Sequence, residues 1–93
     1  MTDGTEKEAV VQIVNRAGLH ARPAALLVKT AGGFQSTIHV EKEGLQVNCK
    51  SIMGVLMLAA EQGSTLRFTA VGDDAEDALQ ALTALVSAGF EEE

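Results

Sequence analysis

One histidine in this sequence stands where an anion could bind and where its ring could act as a nucleophile. His20 directly precedes an alanine-rich apolar run, and Arg22 and Pro23 follow within three residues. If a helix begins at Ala21, the ring lies beside unpaired backbone N–H groups, the positive end of a helix dipole and a guanidinium group, all of which stabilise phosphate. The same field favours a neutral imidazole, which keeps one nitrogen free to attack phosphorus. The pattern predicts phosphoryl transfer through His20 with Arg22 as the phosphate-stabilising residue, and a structural role is the alternative for the histidine.

The charge distribution is compatible with such a site. The chain has a net charge of −6, but Arg16, Arg22 and Lys29 are the only charged side chains, histidine apart, between residues 9 and 40. An acidic protein can therefore hold an anion locally, whereas its overall charge opposes general nucleic-acid binding. The sequence contains no P-loop or other nucleotide fingerprint, so a partner enzyme would have to bring the phosphoryl group.

The elements that must position His20 follow from hydrophobic periodicity. Alternating residues predict strands over 9–14, 34–40, 45–49 and 66–70. Helices are predicted over 21–31, from a Ser51 N-cap to about residue 60, and after an apparent Asp73–Glu76 capping box. This βαββαβα order predicts an α+β open-faced β-sandwich, in which a four-stranded antiparallel sheet carries three helices on one face. The length of 93 residues predicts a single domain, residues 1–93.

The second predicted helix is apolar on almost all sides, although a helix on a sheet can bury only one stripe. One interpretation is a deeply covered core helix. The other is a partner-binding surface beside His20, formed by Ile52, Met53 and Leu56 together with Ala21, in which methionine adapts to different partners.

The single cysteine, Cys49, forms no internal disulfide and is expected to pack as a small hydrophobic residue, while His39 is expected to face solvent. We expect no metal ion and no cofactor. The sequence shows no signal peptide and no apolar run long enough for a bilayer, so we expect a cytoplasmic monomer without membrane insertion.

Two motifs in their expected order carry a family resemblance. The segment "GLHARPA", residues 18–24, resembles the active-site signature of the HPr family, the histidine-containing phosphocarriers of the phosphoenolpyruvate-dependent phosphotransferase system. The segment "CKSIMGV", residues 49–55, resembles the family's second signature and is typical of members in lineages with an HPr kinase. "LMLAAEQG" and "ALQALTALVSAGFEEE" are more similar to the nitrogen-branch members, so the resemblance leaves the sugar and nitrogen branches open.

The resemblance implies a stoichiometric phosphoryl carrier rather than a turnover enzyme. It implies that enzyme I phosphorylates His20 on Nδ1, that Arg22 stabilises the phosphate, and that IIA-type components receive the group. It also implies that Ser51 matches the family's regulatory serine, with an HPr kinase and a transcription regulator as further partners. The acidic ending Glu91 to Glu93 departs from the shorter HPr ending, and no role is assigned to it.

Two rival functions remain open. One is a regulatory binding module that acts by docking, including through phosphorylated Ser51. The other, suggested by element order alone, is a small ligand-sensing domain of the ACT type, which would require a dimer.

Overall fold

Alternating apolar residues build a four-stranded sheet that carries the helices on one face. The computed structural model describes residues 6–92; the rest of the predicted domain, including Asp3 and Glu93 of the two acidic ends, lies outside the described residues. The strands are β1 (Glu6–Gln12), β2 (Thr37–Lys42), β3 (Leu45–Asn48) and β4 (Thr65–Val71), and the helices are α1 (Ala21–Gly32), α2 (Ile52–Met57) and α3 (Ala75–Ser87), followed by a short 3-10 turn, Gly89–Glu91. The strand order is β1-β4-β2-β3 and every neighbouring pair is antiparallel. The predicted α+β open-faced sandwich is confirmed.

The core lies between the sheet and the helices. Val40 pairs with Phe68 across β2 and β4, and Val11 pairs with Leu66 across β1 and β4, so apolar side chains of three strands point to the same face. The buried faces of the two long helices pack on these side chains and complete the core. Their buried residues are Pro23, Ala24, Leu27 and Ala31 on α1, and Ala75, Ala78, Leu79, Leu82 and Val86 on α3. No helix among residues 6–92 has the length and apolar character needed to cross a bilayer.

The predicted start of α1 is confirmed and that of α3 is corrected. Pro23 lies in the first turn of α1, where its missing N–H costs no hydrogen bond, and Gly33 is the C-cap. The capping box from Asp73 does not form, because the N-cap of α3 is Asp74 and its side chain makes no capping hydrogen bond. The Asp74 carboxylate instead accepts hydrogen bonds from the backbone N–H groups of Gln35 and Ser36 and from the Ser36 hydroxyl.

That contact also explains why β2 begins at Thr37 rather than at Phe34. The N–H groups of Gln35 and Ser36 are bonded to Asp74 and are not available to a strand ladder. These hydrogen bonds lower the pKa of Asp74, with the Ser36 hydroxyl as the largest contribution, since each bond stabilises the ionised carboxylate. The carboxylate therefore joins the start of β2 to the start of α3.

Three other element ends differ from the prediction. β1 is shifted toward the N-terminus because Glu6 and Lys7 pair with Val71 and Ala70 of β4. β3 ends at Asn48 rather than at Cys49, which is buried just beyond the strand. The second helix ends at Met57 rather than near residue 60, because its final turn tightens into i→i+3 hydrogen bonds and Ala59 has a φ of 48°.

Candidate functional site

His20 lies at the N-terminus of α1, as predicted. It is the N-cap residue with extended backbone angles, and its carbonyl accepts the hydrogen bond of the Ala24 N–H at 2.9 Å. Its imidazole makes no capping hydrogen bond to the helix and is exposed. The backbone of His20 therefore belongs to the helix start, while the ring remains accessible to a partner.

The loop before His20 is held against the segment that follows α2. The buried Leu19 donates its N–H to the Ala60 carbonyl at 2.9 Å. Gly18 has a φ of 70°, and a Cβ atom there would lie 2.6 Å from the Ala60 carbonyl oxygen. Only glycine combines this backbone angle with so close an approach, so Gly18 is needed to place His20.

The start of α1 has the features of an anion-binding helix end. The N–H groups of Ala21 and Arg22 have no acceptor among residues 6–92, and Pro23 has no N–H. The Arg22 side chain is exposed and forms no ion pair within the same part of the chain. Free N–H groups, the helix dipole and an unpaired guanidinium favour a phosphate at this end of the helix.

Sequence reasoning missed Glu92 as a member of this site. Its carboxylate Oε2 lies 3.3 Å from His20 Nε2, and its Oε1 accepts a hydrogen bond from Asn15 Nδ2 at 3.1 Å. A carboxylate from the far end of the chain therefore contacts the ring, in addition to the positive groups that the sequence predicts there. No local pattern links residues 72 positions apart, so the acidic ending was the only available signal.

Ser51 is the N-cap of α2, as predicted. Its Oγ accepts a hydrogen bond from the Gly54 N–H at 3.1 Å. A Cβ atom on Gly54 would lie 3.3 Å from the Val47 side chain, so the helix start packs closely on β3. The structural role of Ser51 is thus present, and its regulatory role stays a prediction.

The prediction that α2 exposes apolar residues is supported by their accessibility. Within α2 only Val55 is buried, which rules out a deeply covered helix. The exposed residues form what we call the apolar patch: Ile52, Met53, Leu56 and Met57. Met53 and Met57 are 68% and 66% exposed, more than a core helix allows. Ala21 is also exposed, and α1 packs against α2.

The remaining candidate side chains do not join the site. Cys49 is buried, and burial raises the pKa of its thiol to about 12 against a smaller opposing effect of Lys50, so it is not a nucleophile at neutral pH. His39 lies on β2 between Thr69 and Asn48, on the face away from the core. Within residues 6–92 no three His, Cys, Asp or Glu side chains are grouped as metal ligands would be.

Known proteins are similar to this chain in both fold and sequence. The family model described as "PTS HPr component phosphorylation site" matches residues 7–88. The chain is 48% identical over 83 residues to "Phosphocarrier protein HPr" of Treponema pallidum, covering 89% of this chain and 94% of that protein. It is 46% identical to "HPr-like protein Crh" of Halalkalibacterium halodurans, covering 85% and 94%.

A solved structure gives the same result. The crystal structure of HPr-C-His from Thermoanaerobacter tengcongensis superimposes with a TM-score of 0.90 at 50% identity, covering 94% of this chain and 98% of that one. The family model, the curated relatives and the fold agree over nearly the whole length. The chain therefore belongs to the HPr family of phosphocarrier proteins of the phosphotransferase system.

Proposed function

We propose that this chain accepts a phosphoryl group on His20 from enzyme I, with phosphoenolpyruvate as the source, and passes it to a IIA-type component. The observation that carries the proposal is the accessible His20 ring at the N-terminus of α1, beside two N–H groups without acceptors among residues 6–92. The chain is a covalent intermediate in this relay and does not turn over substrate. Its own contribution is to position the nucleophile and stabilise charge.

The transfer step needs little chemistry from the protein. The lone pair of His20 Nδ1 attacks phosphorus, the bond between phosphorus and the donor breaks, and its electron pair stays on the donor. The N–H groups of Ala21 and Arg22 and the Arg22 guanidinium stabilise the negative charge on the phosphoryl oxygens. The reverse sequence delivers the group to the acceptor.

The partners would dock on the apolar patch together with Ala21. Such a surface suits a carrier that meets a donor and an acceptor in turn, because methionine side chains adapt to different contacts. Phosphorylation of Ser51 would add about −1.5 to −2 charges at the edge of this patch and would oppose docking there. An HPr kinase and a transcription regulator would be the partners of that second state.

A regulatory docking protein is the second candidate function. The observation in its favour is that α2 leaves four apolar side chains exposed next to Ser51. Both candidates use the same surface, but only the carrier requires His20 to be phosphorylated. The acceptor, in the sugar or the nitrogen branch, would be found by offering the phosphorylated chain to purified IIA components of each type.

The proposal is tested by incubating the purified chain with enzyme I and labelled phosphoenolpyruvate. We expect acid-labile label on the wild type, none on His20→Ala, and unchanged folding of that variant because the ring is exposed. Arg22→Ala should keep the label but slow transfer about tenfold or more, since a stabilising charge is lost while the nucleophile remains. An unlabelled wild type would favour the docking protein, and label on His20→Ala would exclude His20 as the acceptor.

A further inference from the structure

A lysine occupies a position of β2 where the alternation of the strand places apolar side chains. Ile38 and Val40 point into the core, and Lys42 follows them on the same face at the end of the strand. Lys42 is half-buried and pairs with Leu45 across the β2–β3 hairpin. Its apolar stem can lie along the core, but its ammonium group needs a polar partner there.

That partner is a carbonyl group at the C-terminal end of α2. Lys42 Nζ donates a hydrogen bond of 3.2 Å to the carbonyl oxygen of Leu58, the C-cap residue. Leu58 is buried, and no backbone N–H among residues 6–92 donates to this oxygen. Carbonyl groups at a helix end have no partner within the helix, and leaving a buried one unpaired is unfavourable. Lys42 therefore caps the C-terminus of α2, as basic side chains do at helix ends.

The backbone next to this cap is strained. Ala59 has a φ of 48°, which is unfavourable for a residue with a side chain. The residues on either side of it are held by hydrogen bonds: Lys42 donates to the Leu58 carbonyl, and the Leu19 N–H donates to the Ala60 carbonyl at 2.9 Å. Strain of this kind persists only where the surroundings impose it. The two hydrogen bonds therefore restrain the same short segment, residues 58–60.

This segment connects the apolar patch to the loop of His20. It continues directly from α2, whose exposed residues form the patch. At its other end, Ala60 holds the loop before His20 through the hydrogen bond from Leu19. Lys42 belongs to a third element, β2, so its hydrogen bond anchors the segment to the sheet. The place of His20 relative to the patch thus depends on a contact made by a residue far from both.

We propose that Lys42 is a positioning residue for phosphoryl transfer, which caps the Leu58 carbonyl and thereby fixes His20 relative to the apolar patch. This inference rests on the proposed carrier function and names a residue of the sheet that lies outside both family motifs. The start of α2 has its own cap at Ser51, so loss of the Lys42 hydrogen bond leaves the patch able to bind a partner. The loop of His20 loses part of its support, and the ring is less often in the position for transfer.

The first test follows the Leu19 N–H without any partner protein. Amide hydrogen exchange is measured without denaturant, where amides exchange through local opening, for wild type, Lys42→Met, Lys42→Arg and Lys7→Met. We expect the Leu19 amide to exchange about fivefold faster in Lys42→Met, the factor that corresponds to one hydrogen bond of about 1 kcal/mol. Lys42→Arg keeps a donor and should stay close to wild type. The Ser36 amide, bonded to Asp74 at the other end of β2, should be unchanged in every variant.

The second test measures transfer from enzyme I to the same variants. We expect Lys42→Met to lower kcat about fivefold with KM for this chain little changed, because docking is retained while the position of His20 is not. Lys42→Arg should recover most of the rate. Lys7→Met is the matched control, since Lys7 is an exposed lysine without an ion pair among residues 6–92, and it should match wild type. Circular dichroism at the assay temperature shows that each variant is folded, so a loss of overall stability alone would leave kcat unchanged.

The outcomes separate this inference from the proposed function. Unchanged exchange of the Leu19 amide in Lys42→Met overturns the role of Lys42 even if His20 accepts phosphate. Faster exchange with an unchanged kcat, or with a raised KM alone, overturns the link between this cap and transfer. An arginine variant as slow as the methionine variant overturns the hydrogen bond as the cause. A wild type that takes no label overturns the carrier function, while the exchange rates still decide whether Lys42 supports the loop.

Discussion

The N–H of Leu19 donates a hydrogen bond of 2.9 Å to the carbonyl of Ala60, and this bond joins the loop of His20 to the segment after α2. The loop leads to His20, the predicted nucleophile, and α2 carries the apolar patch. If a partner docks on α2 as proposed, this hydrogen bond fixes the position of His20 relative to that docking surface.

Gly18→Ala should destabilise the protein by about 2–3 kcal/mol, because the new Cβ combines left-handed backbone strain with a close contact. That Cβ would lie 2.6 Å from the Ala60 carbonyl oxygen and 2.9 Å from the Glu61 Cα atom. Urea unfolding measures this change in the free energy of unfolding. Gly44→Ala is the matched control, since its φ is 89° but no atom lies within 4 Å of its added Cβ. Equal losses for the two variants would show that the contact with Ala60 does not matter.

Met53→Glu and Leu56→Glu should each weaken binding of enzyme I about tenfold or more, because a charge is placed in the centre of a predicted interface. Titration calorimetry or a KM for enzyme I measures the effect. Val10→Glu is the control, since Val10 is also an exposed apolar residue but lies opposite Arg67 on the face of the sheet away from the helices. Wild-type binding by both α2 variants would remove the apolar patch from the docking surface.

Ser51→Asp should slow phosphorylation of His20 by enzyme I without rearranging the fold. An aspartate at the N-cap still accepts a hydrogen bond, but its charge lies beside the patch where the partner docks. Ser51→Ala should cost about 1 kcal/mol of stability through loss of the bond to Gly54 and leave the rate near wild type. The measurement is the rate of His20 phosphorylation at a sub-saturating concentration of enzyme I, compared among wild type, Ser51→Asp and Ser51→Ala. If both variants are slowed equally, the effect comes from the cap and not from the charge.

Asp74→Asn should remove part of the protein's sensitivity to acid. Hydrogen bonds from Ser36 and Gln35 lower the pKa of Asp74 in the folded state, so the unfolded chain binds a proton at higher pH than the folded one. The resulting stability is present above the unfolded pKa of about 4 and is lost as the pH falls through the folded pKa. Urea midpoints followed from neutral to acidic pH should therefore fall more steeply for wild type.

The control for this pH effect is Asp73→Asn, which removes the same charge from the exposed neighbouring residue. It leaves the contacts of Asp74 with Ser36 in place, so its acid dependence should follow that of wild type. Parallel curves for wild type and Asp74→Asn would contradict the assignment.

Local signals in the sequence were enough for most of the framework of the site. The helix after His20, the first-turn proline and the Ser51 cap depend on neighbours within four residues, and all three are present. The alternation in β4 is likewise confirmed, because one buried face leaves only one way to orient Leu66, Phe68 and Ala70. The apolar excess of α2 was also readable, since a short helix on a sheet cannot bury every side.

Contacts between distant residues were decided only by the tertiary structure. Asp74 has the sequence context of a helix cap, yet its carboxylate bonds to Gln35 and Ser36, because packing brings the start of β2 to it. Glu92 reaches His20 because Phe90 is buried in the core and turns the backbone through left-handed angles. The sequence by itself predicted His20 as the residue that carries a phosphoryl group, because the helix start and the arginine beside it are local features. The fold decided which nitrogen of that residue faces a carboxylate, because that depends on how two chain segments 72 residues apart pack together.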